Sequence, residues 1–251
     1  LIFSYLRIVL NYAIFFLMIQ LNCQFYLNNY LKKNITYKHK DNCSNLMVIF
    51  ETRLSLSLIL VIKNAIDILP NFNLMVISTK SNLEFLEKIF GKIYYKVEVN
   101  KAKINLKEYS EVLRSKNFWS NIKEKQVLVF QSDTLFLRNI KDNEFKDLSM
   151  LGAVCVNFHD NDKFAINGGF SLRNKNLMLE LCENKVITSE IEDIFYTEQI
   201  RKYYPEILPQ INDCHNFAIE SYGNKLTAKG IHGTDKYYMT NNDYKEIFEY
   251  L

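Results

Sequence analysis

From Leu46 onward the chain alternates between short, unbroken apolar runs and longer stretches in which apolar residues recur every three or four positions. Residues 46–50 (LMVIF), 73–77 (NLMVI) and 127–130 (VLVF) are too short for typical helices, and apart from Asn73 they carry only apolar side chains, the pattern of strands buried on both faces. Residues 93–99 (IYYKVEV) predict a fourth strand. Between them, Leu54, Leu58, Val61, Ile62, Ala65 and Ile66 keep helical spacing until Pro70 closes the segment. Leu83, Leu86, Ile89 and Phe90 form the core stripe of a second helix, capped by Ser81 and stopped by Gly91. Tyr109, Val112 and Leu113 predict a third, running towards Phe118 and Trp119.

Strands alternating with helices predict an α/β fold with a Rossmann-like, mostly parallel central sheet and helices on both faces. Right-handed crossovers bring the ends of strands 46–50 and 127–131 to one edge, so that Glu51, Arg53 and Asp133 share a cleft. After Arg138 the regularity weakens. Short strands are expected over 150–156 and 165–172, helices over 174–182 and 190–203, a late strand over 216–220 and a terminal helix over 243–251.

Residues 46–251 therefore read as one domain, and residues 1–45 stand apart from it. Residues 8–19 (IVLNYAIFFLMI) are apolar except for Asn11 and are followed by Lys32 and Lys33. That length suits a signal-peptide core or a marginal anchor, while a helix packed on the domain is the alternative. Membrane contact is expected through residues 1–31. The chain is membrane-associated if residues 1–21 are an anchor, and cytoplasmic otherwise.

Composition narrows the function classes. A 48% hydrophobic content supplies a substantial core, and 3 Pro with 7 Gly argue against a disordered chain. The net charge of +3 is too small to make nucleic acid the expected partner. The five cysteines are widely spaced and form no CxxC pair, so reduced, buried thiols are expected rather than a zinc site or disulfide frame.

Candidate chemistry begins where the apolar run 127–130 stops at Gln131, Ser132 and Asp133. Ligands of open α/β sheets bind at the carboxyl ends of strands, where a carboxylate can hold Mg²⁺ or Mn²⁺ and through it a diphosphate. The alternative for Asp133 is a turn acid or helix cap. Asn167-Gly168-Gly169-Phe170-Ser171-Leu172-Arg173 puts two glycines in a strand-like segment, which marks a bulge or close ligand approach, or else a hairpin turn at Asn167-Gly168. Glu192 and Asp193 open a helix, where negative charge suits the dipole. One of the two is then available as a general base. His232 lies between Gly230 and Ile231 on one side and Gly233 on the other, with little bulk to keep a ligand away.

In this order, QSD at 131–133, NGGFSLR at 167–173, EDIFY at 192–196 and GIHG at 230–233, the chain resembles glycosyltransferases of the GT-A fold. More narrowly, it is similar over about residues 46–240 to a family described only as a domain of unknown function. That family carries an acid-x-Arg element, a QTD-type motif, NGGFSLR and EDxFF/Y, and Glu51-Thr52-Arg53 fits the first of these. The resemblance implies a hexosyltransferase that moves a sugar from a nucleotide-sugar donor to an acceptor hydroxyl on a protein, lipid or glycan. It makes Asp133 and His232 the ligands of a divalent cation, Mn²⁺ or Mg²⁺. Glu51, Arg53 and Gln131 fall at the nucleotide end of the donor site, and Asn167, Gly168 and Gly169 line the donor sugar. Asp193, or Glu192, acts as base or orients the acceptor. One position departs from the pattern: Gln131 stands where the first acid of D-x-D is expected, which weakens metal binding and gives Lys or Arg a larger share of the diphosphate. Two further readings follow, a nucleotide-sugar or glycan-binding module without catalysis, and a membrane-attached interaction protein.

Overall fold

A computed structural model describes residues 36–155, 164–184, 186–220, 223–224 and 226–233. The apolar segment 8–19, the possible anchor 1–21 and the expected helix 243–251 lie outside the described residues. The order opens as the pattern predicts: β1 (Asn45–Phe50), α1 (Leu56–Ile68), β2 (Asn73–Ser78), α2 (Lys80–Phe90), β3 (Tyr95–Glu98), α3 (Leu106–Leu113), α4 (Lys116–Ser120) and β4 (Gln126–Phe130). It continues with β5 (Leu135–Phe136), β6 (Met150–Cys155), β7 (Ala165–Asn174), α5 (Lys175–Asn184), α6 (Glu192–Tyr203), α7 (Ile211–Phe217), β8 (Ala218–Ile219) and β9 (Gly230–Ile231).

Local chemistry sets the helix ends. Ser55 caps α1 by accepting from the Leu58 N–H. Thr79, not Ser81, caps α2 by accepting from the Asn82 N–H, so that helix starts earlier than expected, and Gly91 ends it with φ 83°. The stretch through Phe118 and Trp119 is two helices. The Ser115 hydroxyl accepts from the Phe118 N–H and starts α4 anew.

Six strands form the main sheet in the order β3-β2-β1-β4-β7-β6. β3, β2, β1 and β4 are parallel to one another, and β7 runs antiparallel between β4 and β6. The sheet is thus mixed rather than uniformly parallel. β1 and β2 are buried at every residue, and Val127 to Phe130 of β4 are at most 1% exposed. Each such side chain contributes about 1.5–3 kcal/mol through burial. The chain steps outward from β1 to β3 and then returns to place β4 on the other side of β1. With the right hand that parallel crossovers take, this reversal puts α1 and α2 on one face and α3 and α4 on the other.

A second sheet, β5-β9-β8, closes over the end of β4. Phe130, Phe136, Phe170 and Phe217 tie the two sheets together, with successive ring centroids 5.1, 5.4 and 5.2 Å apart. The strand expected over 216–220 shrinks to β8, because Gln210 and Asp213 open α7 instead, the Gln210 N–H donating to Asp213 Oδ2 at 2.9 Å. Four cysteines are described and all are free thiols. Cys214 is buried as expected, whereas Cys43, Cys155 and Cys182 are half-buried.

Candidate functional site

The sheet reverses direction at β1, so the carboxyl ends of β1 and β4 form its topological switch point, where open α/β sheets leave a crevice. A cleft of about 580 Å³ lies there, lined among others by Glu51, Arg53, Tyr109, Gln131, Ser132 and Asp133. Glu51 holds Arg53 through both oxygens, at 3.0 and 2.6 Å, and accepts the Arg53 N–H at 2.8 Å. Burial raises the Glu51 carboxyl, but the Arg53 bonds outweigh it and keep it below the usual carboxylate range. The Arg53 side chain remains 67% exposed at the mouth of the cleft. Ser132 reaches across from β4 to Glu51 Oε2 at 3.4 Å.

Asp133 stands in a tight turn after β4, closed by the Thr134 N–H on the Gln131 carbonyl at 3.1 Å and by the Gln131 N–H on the Thr134 hydroxyl at 3.3 Å. The small sheet then brings His232 to it. β9 pairs with β5 so that Leu135 faces Ile231, and the next residue, His232, comes level with the turn. Its Nε2 lies 3.5 Å from Asp133 Oδ1 and 3.2 Å from Gln131 Oε1, and its Nδ1 lies 3.4 Å from Glu220 Oε1. Among the described residues, no group of three or more His, Cys, Asp or Glu side chains is disposed to hold a metal ion.

The two glycines are inside β7, not in a hairpin turn. Gly152 of β6 pairs with Ser171 and Val154 with Ile166, so Asn167 to Phe170 stand opposite Ala153 alone and break the pairing with β6, while Phe170 still pairs with Phe130 of β4. Their neighbours explain the residue type. A Cβ on Gly168 would meet Glu192 Oε1 at 2.3 Å, and one on Gly169 would meet His232 Nε2 at 2.1 Å. Asn167 folds back to accept the Gly169 N–H at 2.8 Å, and its Nδ2 faces Glu220 Oε1 at 3.4 Å.

Glu192 and Asp193 open α6 with different roles. Both oxygens of Glu192 are taken by Arg173, at 2.7 and 2.9 Å, in a pair whose side chains are 0% and 4% exposed. Burial works against the Arg173 charge, but Glu192 more than restores it. Asp193 is only half-buried. Its Oδ2 accepts the Gly168 N–H at 2.9 Å and its Oδ1 the Ile194 N–H at 2.7 Å. Burial, and then the Glu192 charge, push its carboxyl up to about 6 against the pull of those N–H groups and of Arg173. Of the two acids, Asp193 alone keeps lone pairs that are not engaged by a cation.

Three residues at the site carry no signal of their own in the sequence. Arg173 reads as a charged strand end, Glu220 as the last residue of the late strand expected over 216–220, and Tyr109 as an apolar position on a helix. Only the fold brings Arg173 to Glu192, Glu220 to His232 and Asn167, and Tyr109 into the cleft.

The arrangement defines an α/β protein with a polar cleft at the switch point of a mixed sheet. The chain belongs to the family described as Protein of unknown function (DUF5672), which matches residues 95–232. The matched span holds Asp133, the NGGFSLR segment, Glu192, Asp193 and His232, while Glu51 and Arg53 precede it. No curated protein matches the chain. Among the described residues no helix is long and apolar enough to cross a membrane.

Proposed function

We propose that this protein is a glycosyltransferase of the GT-A type, transferring a hexosyl group from a nucleotide-sugar donor to an acceptor hydroxyl. The observation that carries the reading is that Asp133, which lines the switch-point cleft, meets His232, which packs on Gly169 of the bulged Gly-Gly backbone, beside a half-buried carboxylate raised to about 6. Asp133 and His232 would hold a divalent ion, which would need its remaining ligands from outside the protein. The two donors are 3.5 Å apart and would draw together to the spacing of about 3.0 Å that adjacent octahedral ligands at about 2.1 Å require. Such an ion supplies positive charge to the departing diphosphate. Arg53, exposed at the cleft mouth, adds to that charge. Gly168 and Gly169 let Glu192, Asp193 and His232 lie close against the strand, and Asp193 accepts the acceptor's hydroxyl proton as the acceptor oxygen bonds the anomeric carbon. The bond from that carbon to the diphosphate breaks, and its electron pair leaves with the phosphate oxygen.

A second reading, nucleotide-sugar binding without turnover, is favoured by Gln131. This neutral amide engages His232 Nε2 at 3.2 Å where an acid would otherwise strengthen a metal site. The protein incubated with UDP-sugars and GDP-sugars, with and without Mn²⁺, separates the two. Donor hydrolysis or transfer is expected in wild type and should fall by at least about 100-fold in Asp133→Ala. Tight binding across the panel with no turnover would establish the binding module instead.

A further inference from the structure

Tyr109 carries a buried hydroxyl that the protein does not pair at good geometry. The residue is 9% exposed and lines the cleft, and its hydroxyl has no partner at ordinary hydrogen-bond distance and angle, Gln131 acting on it only as a weak one. Native folds rarely leave such a group unpaired, and an orphan beside a cleft is what a ligand's polar atom would complete.

The ring has little freedom to seek another partner. Asn105 and Glu108 close a capping box at the start of α3, and Phe50 stacks on Tyr109 with centroids 5.6 Å apart and planes at 22°. One residue on, the Ser110 hydroxyl accepts the Glu192 N–H at 3.4 Å, and the Leu113 carbonyl accepts the Tyr196 hydroxyl at 2.7 Å. The hydroxyl is therefore fixed between β4 and the start of α6.

The groups around it select the ligand. Gln131, Arg173, Glu192 and Asp193 all act on the phenol. Burial, followed by the Glu192 charge, keeps it protonated and hence a donor. With Glu192 paired to Arg173, the Asp193 carboxylate is left as negative charge that disfavours a phosphate at this point, whereas a neutral polyol oxygen can accept the bond at no charge cost. The anionic end of a donor belongs instead with Arg53, Asp133 and His232.

We propose that Tyr109 donates a hydrogen bond to a hydroxyl oxygen of the donor's sugar, and so selects the sugar rather than the nucleotide. This rests on the glycosyltransferase reading given above. Titration calorimetry on the full chain tests it, using UDP-glucose, UDP-N-acetylglucosamine and GDP-mannose alongside UDP and GDP. Tyr109→Phe should bind the preferred nucleotide sugar about tenfold more weakly and the matching nucleoside diphosphate unchanged. Its thermal midpoint should be unchanged or higher, because the variant removes an unpaired buried group and keeps the ring. Unchanged affinity for the sugar nucleotide overturns the proposal, as does equal weakening for both ligands or a lowered midpoint. Wild-type protein that binds none of the five ligands overturns the glycosyltransferase reading, and the role of Tyr109 with it.

Discussion

At the scale of single residues, two adjacent acids at one helix start are driven apart by their surroundings. Glu192 is a structural anion locked to Arg173, whereas Asp193 is raised to about 6 from an ordinary value of 3.8. In the unfolded chain Asp193 loses its proton near pH 4, and in the folded protein near pH 6. Its contribution to stability is therefore complete below pH 4 and is lost as the pH rises through 6. Wild type should lose about 2–3 kcal/mol relative to Asp193→Asn between pH 4 and pH 7, measured by urea unfolding across that range. Activity should move the other way, since a base works ionised. The wild-type rate should rise through an inflection near pH 6, and Asp193→Asn should lack that inflection. Asp133 and Asp193 stood out in the sequence because one follows an apolar run and the other opens a helix, although a turn acid and a dipole-favoured acid explain the same positions, and Asp133 does stand in a turn. Tyr109 did not, because an aromatic at helical spacing reads as core, and only the tertiary structure shows that its hydroxyl is left unpaired.

At the scale of elements, the bulge of β7 organises the site, and its glycines are required for different reasons. A methyl on Gly169 would sit 2.1 Å from His232 Nε2 and displace the imidazole from Gln131 and Asp133. A methyl on Gly168 would press on Glu192 Oε1 at 2.3 Å and on Arg173 Nη2 at 2.8 Å, and so would part a buried ion pair. Gly168→Ala should thus cost about 3–5 kcal/mol and Gly169→Ala about 1–3 kcal/mol in denaturant unfolding. The reverse order would mean that the Arg173–Glu192 pair yields more easily than the histidine. The same element shows where pattern reading failed. β1, β2 and β4 were legible because strands buried on both faces are unbroken apolar runs. β7 was expected to stop at Leu172 but continues through Arg173 to Asn174, because the Arg173 charge lies inside the protein against Glu192. Its antiparallel direction was equally hidden, since strand direction is set by the connection and leaves no mark on the run itself.

At the scale of the whole molecule, the site draws on distant parts of the chain. Glu51 and Arg53 follow β1, Asp133 follows β4, the glycines belong to β7, Asp193 begins α6, and His232 follows β9. A ligand that bridges these groups holds both sheets together and binds only when all are in place, so its binding free energy adds to the stability of the fold. At 100 times its Kd, such a ligand contributes about 2.7 kcal/mol. For a domain of this size each kcal/mol moves the melting temperature by about 2–4 °C, so a shift of about 5–10 °C is expected with the preferred nucleotide sugar. Asp133 stands in a turn with its side chain 21% exposed, and replacing it by Ala should leave the unliganded melting temperature within a few degrees of wild type. The ligand-induced shift should nevertheless collapse in that variant, because the proposed role of the Asp133 carboxylate is on the ligand and not on the core. Scanning fluorimetry of both proteins with and without ligand checks this. A full shift retained in Asp133→Ala would place the ligand away from the carboxyl ends of β1 and β4.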